Sequence, residues 1–281
     1  MAVALGLIGL YFQLARPAVG APAHGVEHCE GTGEGSYRVL ELEGRNASLV
    51  LFGARHRTDP ADPIFDEIER RVAQFRPTIM LVEGSGSVEE TSTRELAITH
   101  HGGEMGFLCW LARERRIPCR GTDLTEAEEA HRLLRHHSPD EVLLSLVVRV
   151  LAYFNPKPAS QRPPGDLVDW AIHRYGPLVG LESASERDVA RTCNSALGRA
   201  WKPTAITTEW HDPRKSDLLT QRMSRESNDL REPFIVEQIL NAAVKGERVF
   251  ASLGEGHVCD FPGTLTPRWN DRAGKPTKLR R

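Results

Sequence analysis

The most informative stretch of this 281-residue chain is S-L-V-L-F-G-A-R-H, from Ser48 to His56. A short apolar run, typical of a buried strand, leads to a glycine, two further residues and a histidine. The glycine frees the backbone for a tight turn at the strand end. The same pattern returns near the other end of the chain, where Arg248–Leu253 leads to the G-E-G-H of Gly254–His257. Each copy predicts a buried strand that ends at a histidine, and the pair indicates one site.

The residues after His56 predict a strand-helix-strand unit. Ile64–Phe75 carries apolar residues at helical spacing, and Thr78–Val82 is a second short apolar run that ends at Glu83. Such a unit makes its two strands parallel, so His56 and Glu83 leave the same edge of the sheet. This carboxyl edge is where open α/β sheets bind their ligands.

The alternation continues and adds two carboxylates to this edge. Met105–Arg116 has helical periodicity, and Ile117–Gly121 is a third short strand, followed by Asp123. A crossover helix runs antiparallel to its strands, which places Glu104, just before that helix, at the same edge. Each carboxylate alone could be an ordinary helix cap, and it is their convergence with His56 and Glu83 that indicates a site.

A late arginine is expected to join the cluster. A helix predicted over Pro233–Val244 feeds the strand before His257, and Arg231 lies just ahead of that helix. Arg231 should therefore face the edge that carries His257, although Arg222 and Arg225 compete for this position.

The ordered set of motifs resembles the TraB/TIKI and ChaN-like/erythromycin-esterase-like superfamily. That superfamily is marked by a strand-end GxxH, a Glu-Gly pair after the next strand, an arginine before a late helix and a second GxxH. The resemblance extends from Ser36 to Gly263, and the motifs at its two ends are its most specific part. It implies a shared core site made of His56, Glu83 and His257, with Arg231 as an accessory group.

The resemblance implies three activities. TIKI-type members are regarded as metal-dependent proteases, esterase-like members open a macrolide lactone, and ChaN-like members are linked to haem. A shared fold does not choose among them. In this chain Arg55 lies inside the first motif and Glu255 inside the second, which departs from the usual form of the family.

Two hydrolytic mechanisms suit these residue types. His56, Glu83 and His257 could hold a divalent ion such as Zn, Mn or Co, which would make a bound water nucleophilic. Alternatively, a histidine paired with a carboxylate could activate water directly, while Arg231 or Arg55 stabilises the developing oxyanion. The secondary candidates for either role are Glu104, Asp123, Arg55 and Glu255.

We therefore predict an α/β protein with a central mixed sheet and flanking helices, in which two related halves over residues 30–265 share one cleft. The favoured function is hydrolysis of an amide or ester bond in a small molecule or peptide. A haem-binding or metal-binding protein without turnover is the alternative, and a scaffold that has lost activity is a third reading. The middle of the chain, Leu124–Met223, predicts a helical insert over the sheet edge that shapes the pocket. Its clearest helix is Ser138–Phe154.

Composition and the two ends of the chain supply the remaining expectations. The net charge is −2 with no basic stripe, which disfavours nucleic-acid binding. Residues 1–23 resemble a signal peptide, because the apolar run Ala2–Leu10 is too short for a stable membrane span and small residues follow it. We expect a secreted or periplasmic protein, or a cytoplasmic one if this segment is misread. Five cysteines allow at most two disulfides, and export would permit a bridge between Cys29 and one of the others. The basic tail Trp269–Arg281 is predicted to be disordered.

Overall fold

A six-stranded mixed sheet organises the part of the chain that the computed structural model describes, residues 37–44, 46–84, 92–100, 102–154, 164–273 and 279–280. Its strands are β1 (Arg38–Glu43), β2 (Ser48–Ala54), β3 (Ile79–Val82), β4 (Cys119–Gly121), β5 (Arg248–Gly254) and β6 (Leu279–Arg280). They are ordered β4-β3-β5-β2-β1-β6. The four strands from β4 to β2 are parallel, and β1 is antiparallel to both of its neighbours. The predicted α/β fold with a central mixed sheet is confirmed.

Helices connect and cover these strands. In the described residues they are α1 (Ile64–Phe75), α2 (Arg94–His100), α3 (Glu104–Glu114), α4 (Glu126–Leu133), α5 (Pro139–Phe154), α6 (Pro164–Tyr175), α7 (Glu186–Leu197), α8 (Leu219–Ala243) and α9 (Glu255–Ala273). Helix α1 has the predicted bounds. It ends at Arg76, whose backbone is left-handed with φ 53° and which is followed by a proline that cannot continue the helix.

Successive side chains of each strand point to opposite faces of the sheet. Helices cover both faces, so both sets of side chains are buried. On β2, Leu49 and Leu51 pack with α8 and α9, whereas Val50 and Phe52 pack with α1 and α3. Burying one such side chain fully stabilises the fold by about 1.5–3 kcal/mol. Because both faces are covered, the ends of the strands remain as the place where polar side chains can gather.

The middle of the chain forms the predicted helical insert. Helices α4 to α7 and the start of α8 pack around α5, whose Leu144, Val147 and Leu151 are almost completely buried. The predicted cap of α5 is present, since Ser138 Oγ and Glu141 exchange hydrogen bonds. The insert has its own apolar core and reaches the sheet edge through the last turn of α5.

The late helix differs from the prediction. Arg231 does not precede a helix that begins at Pro233, because α8 runs unbroken from Leu219 to Ala243 with the proline inside it. A proline removes one backbone hydrogen bond and usually ends or kinks a helix. Here the helix is held in place on both sides of the proline, because Met223 before it and Ile235 after it are both buried.

The predicted disordered tail is wrong at its beginning, and the predicted domain end at residue 265 is too early. Helix α9 continues to Ala273, and Trp269 in its last turns is 0% exposed. Leu265 and Trp269 are four residues apart and so share the helix face that packs on the sheet. Further on, Leu279–Arg280 pairs with β1. The basic composition of the segment from Trp269 onward gave no indication that Trp269 is buried against the sheet.

A disulfide joins Cys109 on α3 to Cys119 on β4, with 5.4 Å between their Cα atoms. Cys193 is buried and has a free thiol. The predicted signal peptide and Cys29 lie outside the described residues. Within the described residues no helix has the length and apolar character to cross a membrane.

Candidate functional site

The two GxxH motifs lie on neighbouring parallel strands. Strand β2 pairs with β5 so that Gly53 is opposite Leu253 and Ala54 is opposite Gly254. Both motifs therefore leave the sheet at the same edge, as predicted. The second histidine, His257, lies in the first turn of α9 rather than in a loop.

The next two strands bring their acidic residues to this edge as well. The backbone N–H of Glu83, after β3, donates to Ser252 O on β5 at 3.1 Å. Thr122, after β4, donates its N–H to Val82 O at 2.9 Å, which fixes the position of Asp123 one residue later. His56, Glu83, Asp123 and His257 thus all follow the ends of four adjacent parallel strands.

Glu83 is the centre of this cluster. Its Oε2 accepts the backbone N–H of Gly254 at 2.8 Å, and its Oε1 accepts Nη2 of Arg231 at 2.7 Å. His257 Nε2 lies 3.5 Å from the same Oε1. The side chain of Glu83 is only 14% exposed. Two cationic groups and one backbone donor therefore surround a single buried carboxylate.

Arg231 also binds Asp123. Its Nε lies 2.9 Å from Asp123 Oδ1, and its Nη2 makes a very short contact with Oδ2. The competing arginines point elsewhere, since Arg222 donates to Ser216 O and Arg225 donates to Pro213 O. The structure therefore selects Arg231 among the three. None of the described residues accepts a hydrogen bond from its Nη1.

These contacts shift the protonation of the cluster. Burial raises the pKa of Glu83, but the hydrogen bond and charge of His257 and the charge of Arg231 outweigh it and hold that pKa well below its ordinary value. For His257, burial lowers the pKa, yet the hydrogen bond and charge of Glu83 prevail and raise it. The site thus favours an ionised Glu83 beside a protonated His257.

His56 faces the same space from the neighbouring strand. A Cβ built on Gly254 would lie 3.2 Å from His56 Nε2 and 3.2 Å from Glu83 Oε2. Both atoms therefore border the small space above Gly254. His56 has a left-handed backbone with φ 57°, which is uncommon for any residue other than glycine. Its Nδ1 is buried and has no hydrogen-bond partner among the described residues.

The secondary candidates divide into two groups. Glu104 is 0% exposed and accepts the N–H of Arg57, next to His56, at 2.8 Å. Burial is the main cause that raises the pKa of Glu104. Arg55 and Glu255 instead pair with each other at 2.5 Å, and this pairing raises the pKa of Arg55. The structure brings Glu104 and Asp123 to the cluster, while Arg55 and Glu255 form a separate ion pair.

An open cleft of about 200 Å³ gives access to these groups. Its described lining residues are His56, Glu83, Gly84, Met105, Asp123, Tyr153 and Arg231. A larger cavity of about 350 Å³ near Tyr37 and Glu67 contains none of the predicted site residues. The smaller cleft is therefore the candidate active site, and His257 acts on it through Glu83.

Tyr153 is a site residue that the sequence analysis missed. It lies on the last turn of α5, and its ring centroid is 6.2 Å from that of His56. Burial raises the pKa of Tyr153 to about 12, and the charges of Glu104 and Glu83 add to this effect. The hydroxyl therefore stays protonated at neutral pH. A lone tyrosine at the end of an apolar helix gave no signal that this end docks on the sheet edge.

A second ion pair, between Glu129 and Arg149, lies near Arg231 and affects its charge. Glu129 on α4 accepts Nη1 of Arg149 at 2.7 Å and Oγ of Ser227 at 2.5 Å. Burial raises the pKa of Glu129, but the charge of Arg149 outweighs it and lowers that pKa. The negative charge of Glu129 also favours the charged form of Arg231. The helical insert thus contributes electrostatically to the site.

The predicted metal ligands are His56, Glu83 and His257. Both oxygens of Glu83 accept hydrogen bonds, and the Arg231 guanidinium binds both Glu83 and Asp123. The described residues include no group of three or more His, Cys, Asp or Glu side chains placed to hold a metal. What the described residues form is a network of hydrogen bonds with the His56 imidazole in the lining of the cleft.

Comparison of the chain with protein-family models, curated proteins and solved structures finds no match.

Proposed function

We propose that this cleft hydrolyses an amide or ester bond by direct activation of water, in a protein of the TraB/TIKI and ChaN-like/erythromycin-esterase-like superfamily. One observation carries the proposal. An imidazole nitrogen of His56 and a carboxylate oxygen of Glu83, held by two cationic groups, border the same small space in an open cleft.

In this mechanism His56 Nε2 is the general base. Water donates one hydrogen bond to Nε2 and the other to Glu83 Oε2, which orients its oxygen lone pair toward the substrate. As the water oxygen attacks the carbonyl carbon, its proton moves to Nε2. The resulting imidazolium then returns that proton to the leaving amine or alkoxide as the tetrahedral intermediate collapses.

The oxyanion of the tetrahedral intermediate needs donors that point into the cleft. Arg231 lines the cleft, and none of the described residues accepts a hydrogen bond from its Nη1, so Nη1 can donate to the oxyanion. The Arg231 guanidinium is already fixed by Asp123 and Glu83, so it need not reorganise during the reaction. His257 has a different role, because its hydrogen bond and charge lower the pKa of Glu83 and so keep it ionised.

The cysteines support export. A disulfide such as Cys109–Cys119 persists in oxidising compartments and is rare in the cytosol. We accordingly propose that the protein acts outside the cytoplasm, in the periplasm or the medium. Expression of the full chain followed by cell fractionation and N-terminal sequencing tests this, and an uncleaved protein in the cytosolic fraction would refute it.

The hydrolase proposal is tested by His56→Gln on a panel of ester and amide substrates. His56 belongs to no ion pair of the described residues, so its loss should leave the fold intact, and we expect kcat to fall by about 10²–10⁴-fold. The matched control is His173→Gln on α6, where the side chain is exposed and activity should be unchanged. Equal activity of the two variants would exclude His56 as the base.

Metal analysis and absorption spectroscopy of the unsubstituted protein distinguish hydrolysis by direct water activation from the metal-dependent and haem-binding alternatives. Metal analysis of protein purified without chelator, followed by chelation, should leave activity unchanged if water is activated directly. Loss of activity on chelation, restored by Zn, Mn or Co, would favour the metal-dependent reading. A Soret absorption that disappears in His257→Gln, together with no turnover on any substrate, would favour haem binding.

A further inference from the structure

Two buried polar atoms beside the candidate site have no hydrogen-bond partner. One is Nδ1 of His56 and the other is Oε2 of Glu104. Buried polar groups are nearly always paired, and an unpaired carboxylate oxygen is costly. One interaction that involves both Nδ1 of His56 and Oε2 of Glu104 would account for both unpaired atoms.

The backbone brings the two side chains together. Glu104 Oε1 accepts the N–H of Arg57, the residue directly after His56, at 2.8 Å. Gly103 makes this approach possible, since a Cβ there would lie only 2.0 Å from Arg57 O, and its φ of 69° suits glycine. One oxygen of Glu104 is thereby anchored at the strand end next to His56, and the other is left without a partner. A positive charge on His56 would lower the pKa of Glu104, against the larger effect of burial, which raises it.

The two nitrogens of His56 have different surroundings. Nε2 borders the space above Gly254, whereas Nδ1 is buried away from solvent. The other groups near the ring are Glu83, whose oxygens are already engaged, and Tyr153, which meets the ring edge-on. The structure shows no hydrogen bond between Nδ1 and Glu104 Oε2, but both atoms lack a partner and their backbones meet at Arg57.

We propose that Glu104 is a positioning residue that accepts a hydrogen bond from Nδ1–H of His56 and so presents an unprotonated Nε2 to the cleft. A neutral imidazole carries one N–H, and a partner at Nδ1 decides which nitrogen holds it. During the reaction the proton of water moves to Nε2 and the Nδ1–H stays in place. The carboxylate stabilises the imidazolium that forms without taking its proton.

This inference rests on the proposed function, but its first test does not need a substrate. Histidine labelled with ¹⁵N in the full-length protein reports the tautomer of His56, and His56→Gln identifies its signals. The proposal expects a proton on Nδ1 and a lone pair on Nε2. A proton on Nε2 in the unsubstituted protein would overturn it, whether or not the protein proves to be a hydrolase.

Glu104→Gln sharpens the test. Arg57 N–H requires an acceptor, so the glutamine oxygen should take that contact and its NH₂ should face His56 Nδ1. The imidazole is then forced to carry its proton on Nε2, where it blocks the base. We expect the NMR tautomer to switch and kcat to fall by about 10²–10⁴-fold with little change in KM.

Two further variants separate positioning from structural damage. Glu104→Asp retains a carboxylate and should keep the tautomer with partial activity, whereas Glu95→Gln on the neighbouring α2, an exposed position, should change neither. If Glu104→Gln does not fold, the tautomer of the unsubstituted protein still decides the question. An unchanged tautomer in folded Glu104→Gln would refute the proposal.

Discussion

Arg231 links Glu83 to Asp123, donating Nη2 to Glu83 at 2.7 Å and Nε to Asp123 at 2.9 Å. The arginine lies on α8, while the two carboxylates follow β3 and β4. A guanidinium can do this because its donors form a rigid planar fork, whereas a lysine ammonium is a point charge on a flexible stem. One buried cation thereby fixes the distance between two strand ends.

Replacing Arg231 should destabilise the fold as well as the site. Arg231→Met leaves two buried carboxylates without their cation, and we expect the free energy of unfolding to fall by about 3–5 kcal/mol. Arg231→Lys keeps the charge but loses the fork, so it should recover part of that stability and little of the hydrolysis. Urea unfolding followed by circular dichroism measures the first effect, and the substrate panel measures the second.

The control for this experiment lies on the same helix. Arg222 donates to the carbonyl oxygen of Ser216 near the surface, so Arg222→Met should cost less than about 1 kcal/mol. Equal losses in Arg222→Met and Arg231→Met would contradict the central position of Arg231.

Much of the site could be predicted from the sequence, because strand-helix-strand units follow simple rules. Short apolar runs placed His56, Glu83 and Asp123 at the ends of parallel strands, and parallel strands share one carboxyl edge. These inferences are local. They need only the order of strands and helices along the chain, which the periodicity of apolar residues reveals.

The features that the sequence did not predict correctly depend on contacts between elements that are distant along the chain. Pro233 looked like the start of a helix, and only the packing of α8 on the sheet explains why the helix passes through it. Tyr153 enters the cleft because the helical insert docks there, and no periodicity encodes that docking. The basic residues around Trp269 predict a disordered tail, and only the burial of Trp269 against the sheet identifies α9.

The glycines of the two motifs should behave differently when replaced by alanine. A Cβ at Gly53 would lie 2.6 Å from Val258 Cγ2 and 3.2 Å from the backbone of Glu255, so Gly53→Ala pushes α9 away and should cost about 1–3 kcal/mol of stability. The nearest atoms to a Cβ at Gly254 are Glu83 Oε2 and His56 Nε2, each at 3.2 Å. Gly254→Ala should therefore impair hydrolysis much more than stability.

Gly256→Ala is the matched control, because nothing lies within 4 Å of a Cβ there. Its activity and thermal midpoint should stay close to those of the unsubstituted protein. If Gly254→Ala retained full activity while Gly256→Ala lost it, the space above Gly254 could not be where the water binds.

Stability should depend on pH through His257. The folded pKa of His257 is raised, so its contribution is complete below the ordinary histidine pKa of 6.5 and is lost as pH rises through the folded value. The folded pKa of Glu83 is lowered, so its contribution is present above the ordinary 4.5 and is lost as pH falls through the folded value. The stability difference between the unsubstituted protein and His257→Gln should therefore be largest between these two ordinary values and shrink toward alkaline pH. Urea titrations at several pH values measure it, with exposed His173→Gln as the control, and a difference that grows with pH would contradict the ion pair.

The disulfide should support the site as well as the fold. Cys109–Cys119 ties α3, which begins at Glu104, to β4, which leads to Asp123. Closing so short a loop stabilises the folded state by about 2–3 kcal/mol, so Cys109→Ser with Cys119→Ser should lower the free energy of unfolding by that amount and reduce hydrolysis. Peptide mapping without reductant should recover the two cysteines on linked peptides. Cys193→Ser removes a buried thiol outside this link and serves as the control, since its effect on activity should be small, and recovery of Cys109 and Cys119 as free thiols would refute the link.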